Sequence, residues 1–483
     1  MVFRCDTIIR DATVFDGTGG PRRTGDVGIK GDRIAAVGDL GGWSADREVI
    51  ATGRAVAPGI IDSHTHDDRA VLCGPGCTTC KTSQGVTTVV VGNCGVSLSP
   101  LRLSTRPPPP LDLMGDESWW TFDSFGDYAR ALQKGSELNT YAFIGHQTLR
   151  VEAMGDNVYR SATDKEIVRM HDRLRQSMTE GASGFSTGLY YAPNAQATTE
   201  EVIAVAEAIR PFGGLYTTHM RDEADRVLGS IEETAKIGVR ARIPVHVSHH
   251  KCSMPENYGR STQTLPLLAE FARTQQLSYD VYPYPAGSTV LMPDRLRDDV
   301  EVMITWSVPH PEMAGRWLKD VARGWNTDIT NAATRLLPAG QVTFQMDEED
   351  VRRIMAHEMS VIGSDGIPHD DHPHPRLWGT FPRVLGHYVR DIGLFSLETA
   401  IHKMTGKAAD IFGITDRGVV KEGAFADLML FDPATVRDRA TFEDPKQVSE
   451  GIAEVWCNGV PTYDAARGAT GERPGRLVRR GRR

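Results

Sequence analysis

The fold is decided by one stretch of sequence, Ile60-Ile61-Asp62-Ser63-His64-Thr65-His66-Asp67-Asp68. An apolar run over residues 56–61, interrupted only by a Pro-Gly pair, leads into two histidines one residue apart, as a buried strand that ends at a site does. Because alternate side chains of an extended chain point to the same face, His64 and His66 can converge on one metal ion. Taken alone, the pair also fits two polar residues in a loop, so its interpretation depends on whether the pattern recurs.

The pattern does recur, because apolar segments alternate with helical ones through the centre of the chain. Two helical segments follow capping boxes, Thr163-x-x-Glu166 and Thr198-x-x-Glu201. Eight alternations in about 300 residues predict an α/β fold, a (β/α)₈ TIM-like barrel with its active site at the carboxyl ends of the strands. The eight predicted strands are Val56–Ser63, Val86–Gly92, Thr140–Gly145, Gly184–Leu189, Gly214–Thr218, Pro244–Ser248, Leu277–Tyr282 and Ser360–Ser364.

Both ends of the chain consist of short β-like segments separated by turn residues. We predict that residues 1–55 and 408–483 pair into a small β-sandwich that flanks a barrel spanning residues 56–407. Residues from about 285 to 358 are too many for one connection between the seventh and eighth strands, so they predict an inserted subdomain or lid.

The composition limits the classes of function. With 483 residues and 40% hydrophobic content the chain can bury a large core, and a net charge of -9 argues against a nucleic-acid-binding surface. The basic tail, residues 473–483, is interpreted as solvated or docked. The N-terminus, residues 1–6, lacks the pattern of a signal peptide, and the chain has no apolar stretch of about 18 residues. Seven cysteines fit a reducing compartment. We therefore expect a cytoplasmic protein without a membrane or nucleic-acid partner; homo-oligomerisation stays open.

Six residues that can bind a metal ion follow predicted strands. Imidazole, thiolate and carboxylate groups suit zinc, and a catalytic zinc site keeps an open position for water, whose pKa the metal lowers to about 7. An aspartate beside that water can act as general base and acid. The set therefore predicts a hydrolase of a polarised carbonyl. Its members are His64 and His66 after the first strand, Cys94 after the second, His219 after the fifth, His249 after the sixth and Asp365 after the eighth.

Over nearly its whole length the sequence resembles the N-acyl-D-amino-acid deacylases (D-aminoacylases) of the amidohydrolase superfamily. The cysteine of Gly92-Asn93-Cys94-Gly95 is the specific mark, because other branches usually bridge the metals with a carboxylated lysine or a glutamate. The other matching motifs are Asp16-Gly17-Thr18-Gly19, Pro58 to Asp68, Gln84-Gly85-Val86-Thr87-Thr88, Gly145-His146-x-Thr148-Leu149-Arg150, Thr218-His219-Met220-Arg221, Ser248-His249-His250-Lys251 and Gly363-Ser364-Asp365-Gly366.

The resemblance implies a zinc-dependent enzyme that hydrolyses the amide bond of N-acyl-D-amino acids to a carboxylate and a free D-amino acid. It implies one tight zinc site formed by Cys94, His219 and His249. It also implies a second, weaker or unoccupied site formed by His64, His66 and Asp365, in which Asp365 moves the proton. The substrate would be held by Arg376, Lys251, Tyr282 and Ser288 at its α-carboxylate and by Tyr191 at its carbonyl.

Two alternative functions stay open at this point. One is a cyclic amide hydrolase or deaminase on the same scaffold, against which Cys94 and the long insertion speak. The other is a non-catalytic scaffold relative, which would be expected to have lost some of the six metal-binding residues. Cys73, Cys77 and Cys80 are interpreted as an incidental cluster, because three sulfurs lack a fourth ligand in sequence. His250 is predicted to point away from the site, and His369, His372 and His374 to form a polar loop that could line the pocket.

Overall fold

A computed structural model describes residues 3–481 of the chain. Short 3₁₀ turns join several elements, and a π-helical stretch, Val384–Asp391, continues helix α13. The strands are β1 Arg4–Val14, β2 Arg23–Lys30, β3 Arg33–Gly38, β4 Ser44–Ile50, β5 Ala55–Pro58, β6 Ile60–Asp62, β7 Val86–Val91, β8 Leu101–Arg102, β9 Thr121–Phe122, β10 Asn139–Ala142, β11 Ile144–Gly145, β12 Gly184–Gly188, β13 Leu215–His219, β14 Val245–Val247, β15 Leu277–Val281, β16 Gly287–Val290, β17 Glu301–Ser307, β18 Ala339–Phe344, β19 Ser360–Ile362, β20 Leu428–Phe431, β21 Ile452–Cys457, β22 Val460–Asp464, β23 Gly468–Ala469 and β24 Leu477–Val478. The helices are α1 Ala70–Cys73, α2 Thr79–Thr82, α3 Phe125–Leu132, α4 His146–Met154, α5 Asp164–Glu180, α6 Ala192–Ala195, α7 Thr199–Ala206, α8 Val227–Ala241, α9 Ser261–Ala272, α10 Leu318–Gly324, α11 Ile329–Leu336, α12 Glu348–Ala356, α13 Arg376–Arg383, α14 Leu397–Met404 and α15 Gly406–Phe412.

The central strands are parallel and form two ladders, β6-β7-β10 and β11-β12-β13-β14-β15-β19. Strands β10 and β11 follow one another in the chain with only Phe143 between them, and a parallel bridge between Thr65 and Gly366 links the ends of the first and last strands. Strand β7 is buried along its full length, as expected of a β-branched run covered on both faces. The predicted α/β fold of the (β/α)₈ barrel class is confirmed.

The helices between these strands begin largely where their capping residues predict. Thr163 and Glu166 form a complete capping box at the start of α5. At α7 only half of the predicted box is present: the Thr198 side chain accepts from the Glu201 backbone N–H. The Glu201 carboxylate turns instead toward the buried Arg150 guanidinium, because a fully buried cation needs a counter-charge.

The strands of both chain ends pair within one sheet. The order is β23-β22-β21-β20-β5-β1-β2-β3, with β4 also paired to β1. The backbone N–H of Ile34 donates to the carbonyl of Ala424, so the start of β3 lies against the segment before β20. Trp456, fully buried, packs in the apolar core that this sheet encloses. The strands of the two chain ends therefore pair with one another in one connected sheet.

The segment between β15 and β19 contains its own small unit. Strands β16, β18 and β17 form an antiparallel sheet, and α10 and α11 pack with it around a separate apolar core. This unit overlaps the predicted insertion. Within residues 3–481, no helix combines the length and apolar character that crossing a bilayer requires.

The basic tail is docked rather than solvated as far as Gly481; Arg482 and Arg483 lie outside the described residues. Strand β24 pairs in parallel with β10 and so extends the barrel ladder at its edge. The Arg480 side chain donates to the carbonyls of Gly213 and Ile411, at 2.7 and 2.8 Å. The tail therefore pairs with backbone groups at the edge of strand β10 that would otherwise be unpaired.

Gly475 tests how much this docking contributes to stability. A Cβ at this position would lie 2.0 Å from the Leu138 carbonyl oxygen, so Gly475→Ala should displace the tail and lower the Tm by several degrees. Gly229→Ala is the matched control, since a Cβ there meets nothing within 4 Å and alanine favours a helix by about 0.5–1 kcal/mol. Equal Tm values for the two variants in thermal unfolding would contradict a stabilising role of the tail.

Candidate metal centre

Three of the predicted ligands have left-handed backbone conformations, which are uncommon for residues other than glycine. The φ angles are 53° at Cys94, 36° at His249 and 49° at Asp365. The His249 N–H donates to the Asp280 carboxylate and the Asp365 N–H to the His64 carbonyl, each at 2.8 Å. Each residue lies in the sharp turn after its barrel strand. These turns aim the side chains inward over the strand ends.

The Cys94 turn needs a glycine on strand β12, at position 188. A Cβ on Gly188 would lie 2.2 Å from the Cys94 carbonyl oxygen, so the two backbones are in direct contact. Ser186 binds the same turn from both sides, because its hydroxyl donates to the Gly92 carbonyl and accepts from the Gly95 N–H. The loop around Cys94 is thus fixed by strand β12.

The six predicted ligands lie together in two groups that share Cys94. Within each group, one ligand atom per residue lies within 4.8 Å of all the others. The Cys94 Sγ is 3.3 Å from Nε2 of His64 and 3.3 Å from Nε2 of His249. All six residues are buried. The first group is Cys94, His219 and His249; the second is His64, His66, Cys94 and Asp365.

The charges of the site favour an ionised thiol and an ionised carboxylate. Burial opposes ionisation of Cys94, but the neighbouring His64 and His249 outweigh it and hold the pKa of the thiol well below its usual value. Burial likewise opposes ionisation of Asp365, and Arg376 together with His64 holds the pKa of that carboxyl well below its usual value. The donor set is therefore thiolate, imidazole and carboxylate, which fits zinc.

Two carboxylates that the sequence analysis did not identify orient the histidine rings. Asp280 contacts Nδ1 of His64 at 3.3 Å and Nε2 of His246 at 2.9 Å. Glu223 contacts Nδ1 of His249 at 3.0 Å and Nε2 of His219 at 3.3 Å. Carboxylates in this position fix the tautomer and orientation of metal-binding imidazoles. Asp280 could have been noticed as the one charge in an apolar strand, whereas Glu223 lies in a loop without any pattern.

The metal groups open into a cavity of about 410 Å³, which is also lined by all five predicted substrate-binding residues. Arg376 is fully buried; its Nη2 lies 2.9 Å from the Asp365 carboxylate and donates to the Ser288 carbonyl. Its Nε and Nη1, and the Ser288 hydroxyl, find no hydrogen-bond partner within residues 3–481. The Arg376 guanidinium also lies 4.5 Å from the centre of the Tyr282 ring.

Lys251 and Tyr191 are already engaged. The Lys251 ammonium contacts both oxygens of Glu223 at 2.8 Å and Nδ1 of His249 at 2.6 Å. The Tyr191 hydroxyl hydrogen-bonds with Thr289 at 2.9 Å. Arg376 therefore presents unpaired donors to the cavity, whereas Lys251 is bound to the group that orients the histidines.

The remaining histidines are not part of either metal group. His250 points away, with Nε2 2.8 Å from the Thr264 hydroxyl. His372 and His374 hydrogen-bond to the carbonyls of Phe442 and Ala286. His369 lines a separate surface cavity of about 290 Å³.

The three clustered cysteines are also separate from the metal groups. Cys73 and Cys77 are exposed and Cys80 is buried, all as free thiols. The two metal-capable groups found among residues 3–481 do not include them.

Removal of the shared thiolate should lower the metal content. We expect Cys94→Ala to lose most bound zinc after dialysis, because the thiolate belongs to both groups and provides their anionic centre. Cys457→Ala is the matched control, since this buried thiol contacts the Thr87 carbonyl and the Asn458 side chain and belongs to neither metal group. Zinc per chain, measured by elemental analysis, should fall in the first variant and not in the second. An unchanged content in Cys94→Ala would contradict the assignment.

Comparison with known proteins places the chain among relatives of nearly equal length. The sequence pattern of the amidohydrolase family matches residues 47–306 and 310–463. Three curated proteins of Alcaligenes xylosoxydans xylosoxydans are similar: a D-aminoacylase at 48% identity over 98% of both chains, an N-acyl-D-aspartate deacylase at 46% over 98% of this chain and 95% of its own, and an N-acyl-D-glutamate deacylase at 45% over 99% and 98%.

Solved structures agree with these relatives. A D-aminoacylase with a binuclear metal centre matches with a TM-score of 0.96 and 48% identity, over 99% of this chain and all of that one. An N-acyl-D-glutamate deacylase from Bordetella bronchiseptica, solved with zinc and a phosphonate mimic of the tetrahedral intermediate, matches with a TM-score of 0.95 and 44% identity over the same shares. The chain therefore belongs to the amidohydrolase family and, within it, to the N-acyl-D-amino-acid deacylases.

Proposed function

We propose that this protein catalyses the zinc-dependent hydrolysis of the amide bond of N-acyl-D-amino acids. One observation carries the proposal: two metal-capable groups share the Cys94 thiolate beside a cavity in which Arg376 has unpaired donors. A metal next to a cationic carboxylate anchor suits a substrate in which an amide nitrogen and a carboxylate are attached to the same carbon. The D configuration is supported by the names of the three relatives, all of which are D-amino-acid or D-aminoacyl enzymes.

Cys94, His219 and His249 would hold the tight zinc, and His64, His66 and Asp365 would complete the second, weaker position. A bound zinc ion supplies Lewis acidity to the carbonyl and lowers the pKa of a water molecule. Asp280 and Glu223 keep the histidine rings oriented toward the ion, and Cys94 contributes a fixed negative charge between the two positions.

Asp365 moves the proton. Its Oδ1 lies 3.2 Å from His66 Nε2, and its Oδ2 is held at 2.9 Å by Arg376. As water attacks the amide carbon, the carboxylate accepts the proton that the water loses. It then delivers this proton to the nitrogen as the C–N bond breaks, which releases a carboxylate and a free amine. The contact with Arg376 keeps Asp365 ionised for the first of these steps.

Arg376 would bind the α-carboxylate through one of its unpaired donors, Nε or Nη1, in a charge-assisted hydrogen bond. The Ser288 hydroxyl and Tyr282 would complete the carboxylate site, while Tyr191 would polarise the carbonyl. Lys251 would act on the substrate only if it left Glu223, so its main effect would be exerted through Glu223 and the histidines.

Paired substrates test the proposed reaction. We expect the purified protein to hydrolyse N-acetyl-D-amino acids and not their L isomers, to lose this activity on chelation and to regain it with zinc. Asp365→Asn should keep the tight zinc but lose about 100-fold or more in kcat, since general acid–base catalysis contributes about 10²–10⁴-fold. The proposal would be contradicted if, with zinc present, the protein hydrolysed only the L series or hydrolysed neither series.

A change of the substrate's charge tests Arg376. The wild type should prefer an N-acetyl-D-amino acid over its α-carboxamide by about 30-fold in kcat/KM, roughly the 2 kcal/mol of a charged hydrogen-bonded contact. Arg376→Leu should slow both substrates and abolish this preference. Lys251→Met, measured in parallel, should slow both substrates and retain it. If Arg376→Leu still preferred the acid, the carboxylate would be bound elsewhere.

A further inference from the structure

Lys81 is a fully buried cation that the proposed reaction does not use. It lies on the one-turn helix α2, and its ammonium lies 2.9 Å from Asp62, 2.6 Å from the Ser364 hydroxyl and 3.3 Å from Asp67. Burial lowers the pKa of this amine, but Asp62 and Asp67 outweigh it, so the pKa lies above the usual value and the group is charged. Such a buried charge is stable only while its counter-charges stay in place.

The partners of Lys81 belong to the first and last barrel strands. Asp62 ends β6 and Ser364 follows β19. One Asp62 oxygen accepts from the Ser364 N–H at 2.8 Å, and the other accepts from the Ser364 hydroxyl at 2.6 Å. The ammonium completes this network from helix α2. It therefore holds together two strand ends that otherwise meet through few backbone hydrogen bonds.

The same two strand ends also carry three residues of the second metal group, His64, His66 and Asp365. His64 is two residues after Asp62, and Asp365 is the residue after Ser364. The Asp365 N–H donates to the His64 carbonyl, and the His66 N–H donates to the Gly366 carbonyl at 3.2 Å. A shift of either strand end would change the distances between the two imidazoles and the carboxylate. The first group depends on β7, β13 and β14 instead, none of which carries a partner of Lys81.

We infer that Lys81 is a positioning residue that sets the geometry of the His64, His66 and Asp365 group by joining Asp62 to Ser364. The inference rests on the proposed function for its catalytic consequence, but the geometry that it concerns can be measured without turnover. Groups that support metal ligands from behind typically change metal affinity or activity by about 10- to 100-fold when removed. We expect the effect to fall on the second metal position and on Asp365 rather than on the tight site.

The test is a zinc titration of chelator-treated protein by calorimetry, with kcat and KM measured on an N-acetyl-D-amino acid. Lys81→Met should bind the first zinc as the wild type does, bind the second about 10- to 100-fold more weakly, and lose kcat more than it changes KM. Lys403→Met is the matched control: this buried lysine contacts Ser360 Oγ at 2.7 Å, at the opposite end of the same strand β19. It should lower the Tm without changing either zinc affinity.

Ser364→Ala removes the hydroxyl from the network without leaving an unpaired charge. This variant replaces Lys81→Met as the test if Lys81→Met does not fold. It should likewise lower the affinity for the second zinc. If the wild type takes up a single zinc, crystal structures of wild type and variant decide instead, through the hydrogen bond between Asp365 N–H and the His64 carbonyl. Unchanged second-zinc affinity and kcat, or an unchanged hydrogen bond, would overturn the inference. A wild type that binds zinc without hydrolysing D substrates would defeat the proposed function alone.

Discussion

A thiolate buried at the top of a barrel is the constraint on which the rest of the site depends. Cys94 is 3% exposed, and an ionised group at such depth is stable only beside opposite charges. The positive charge beside it comes from imidazoles, so His64 and His249 both approach it, with the centres of their rings 4.9 Å apart. Their Nε2 atoms both lie 3.3 Å from the sulfur. The shared thiolate therefore forces two metal-capable groups into a single cluster.

That cluster is assembled from strand ends that are far apart in sequence. Cys94, His249 and Asp365 all adopt left-handed backbone conformations, which would be costly if each were an isolated turn. The cost is offset because the N–H groups of His249 and Asp365 are bound by other parts of the site, Asp280 and the His64 carbonyl. The predicted ligands and Asp280 thus hold the backbone of the site in place, and rigid placement of this kind is what positioning of a substrate requires.

The sequence was sufficient to predict the barrel because several of its strands are apolar runs followed by polar residues. This pattern can be recognised without any knowledge of contacts. The same pattern identified His64, His66, His219 and His249. Asp280 and Glu223 were missed because a carboxylate that orients a ring has no spacing rule relative to it. Glu223 reaches His249 from a loop after another strand. The prediction of a complete capping box at Glu201 failed for a related reason. The Glu201 carboxylate contacts Arg150, which belongs to a different helix.

The two cations of the substrate cavity show most clearly where sequence reasoning ends. Arg376 and Lys251 are both cations that can bind a carboxylate, and the spacing of their motifs does not show which of them does so. The residues that contact each cation distinguish the two. Lys251 contacts both oxygens of Glu223, whereas Arg376 shares only Nη2 with Asp365 and the Ser288 carbonyl. A cation whose donors are already satisfied gains little from a substrate, while one that keeps a buried, unpaired donor gains a charged hydrogen bond. In the proposed reaction, substrate recognition therefore depends on which cation the protein leaves incompletely paired.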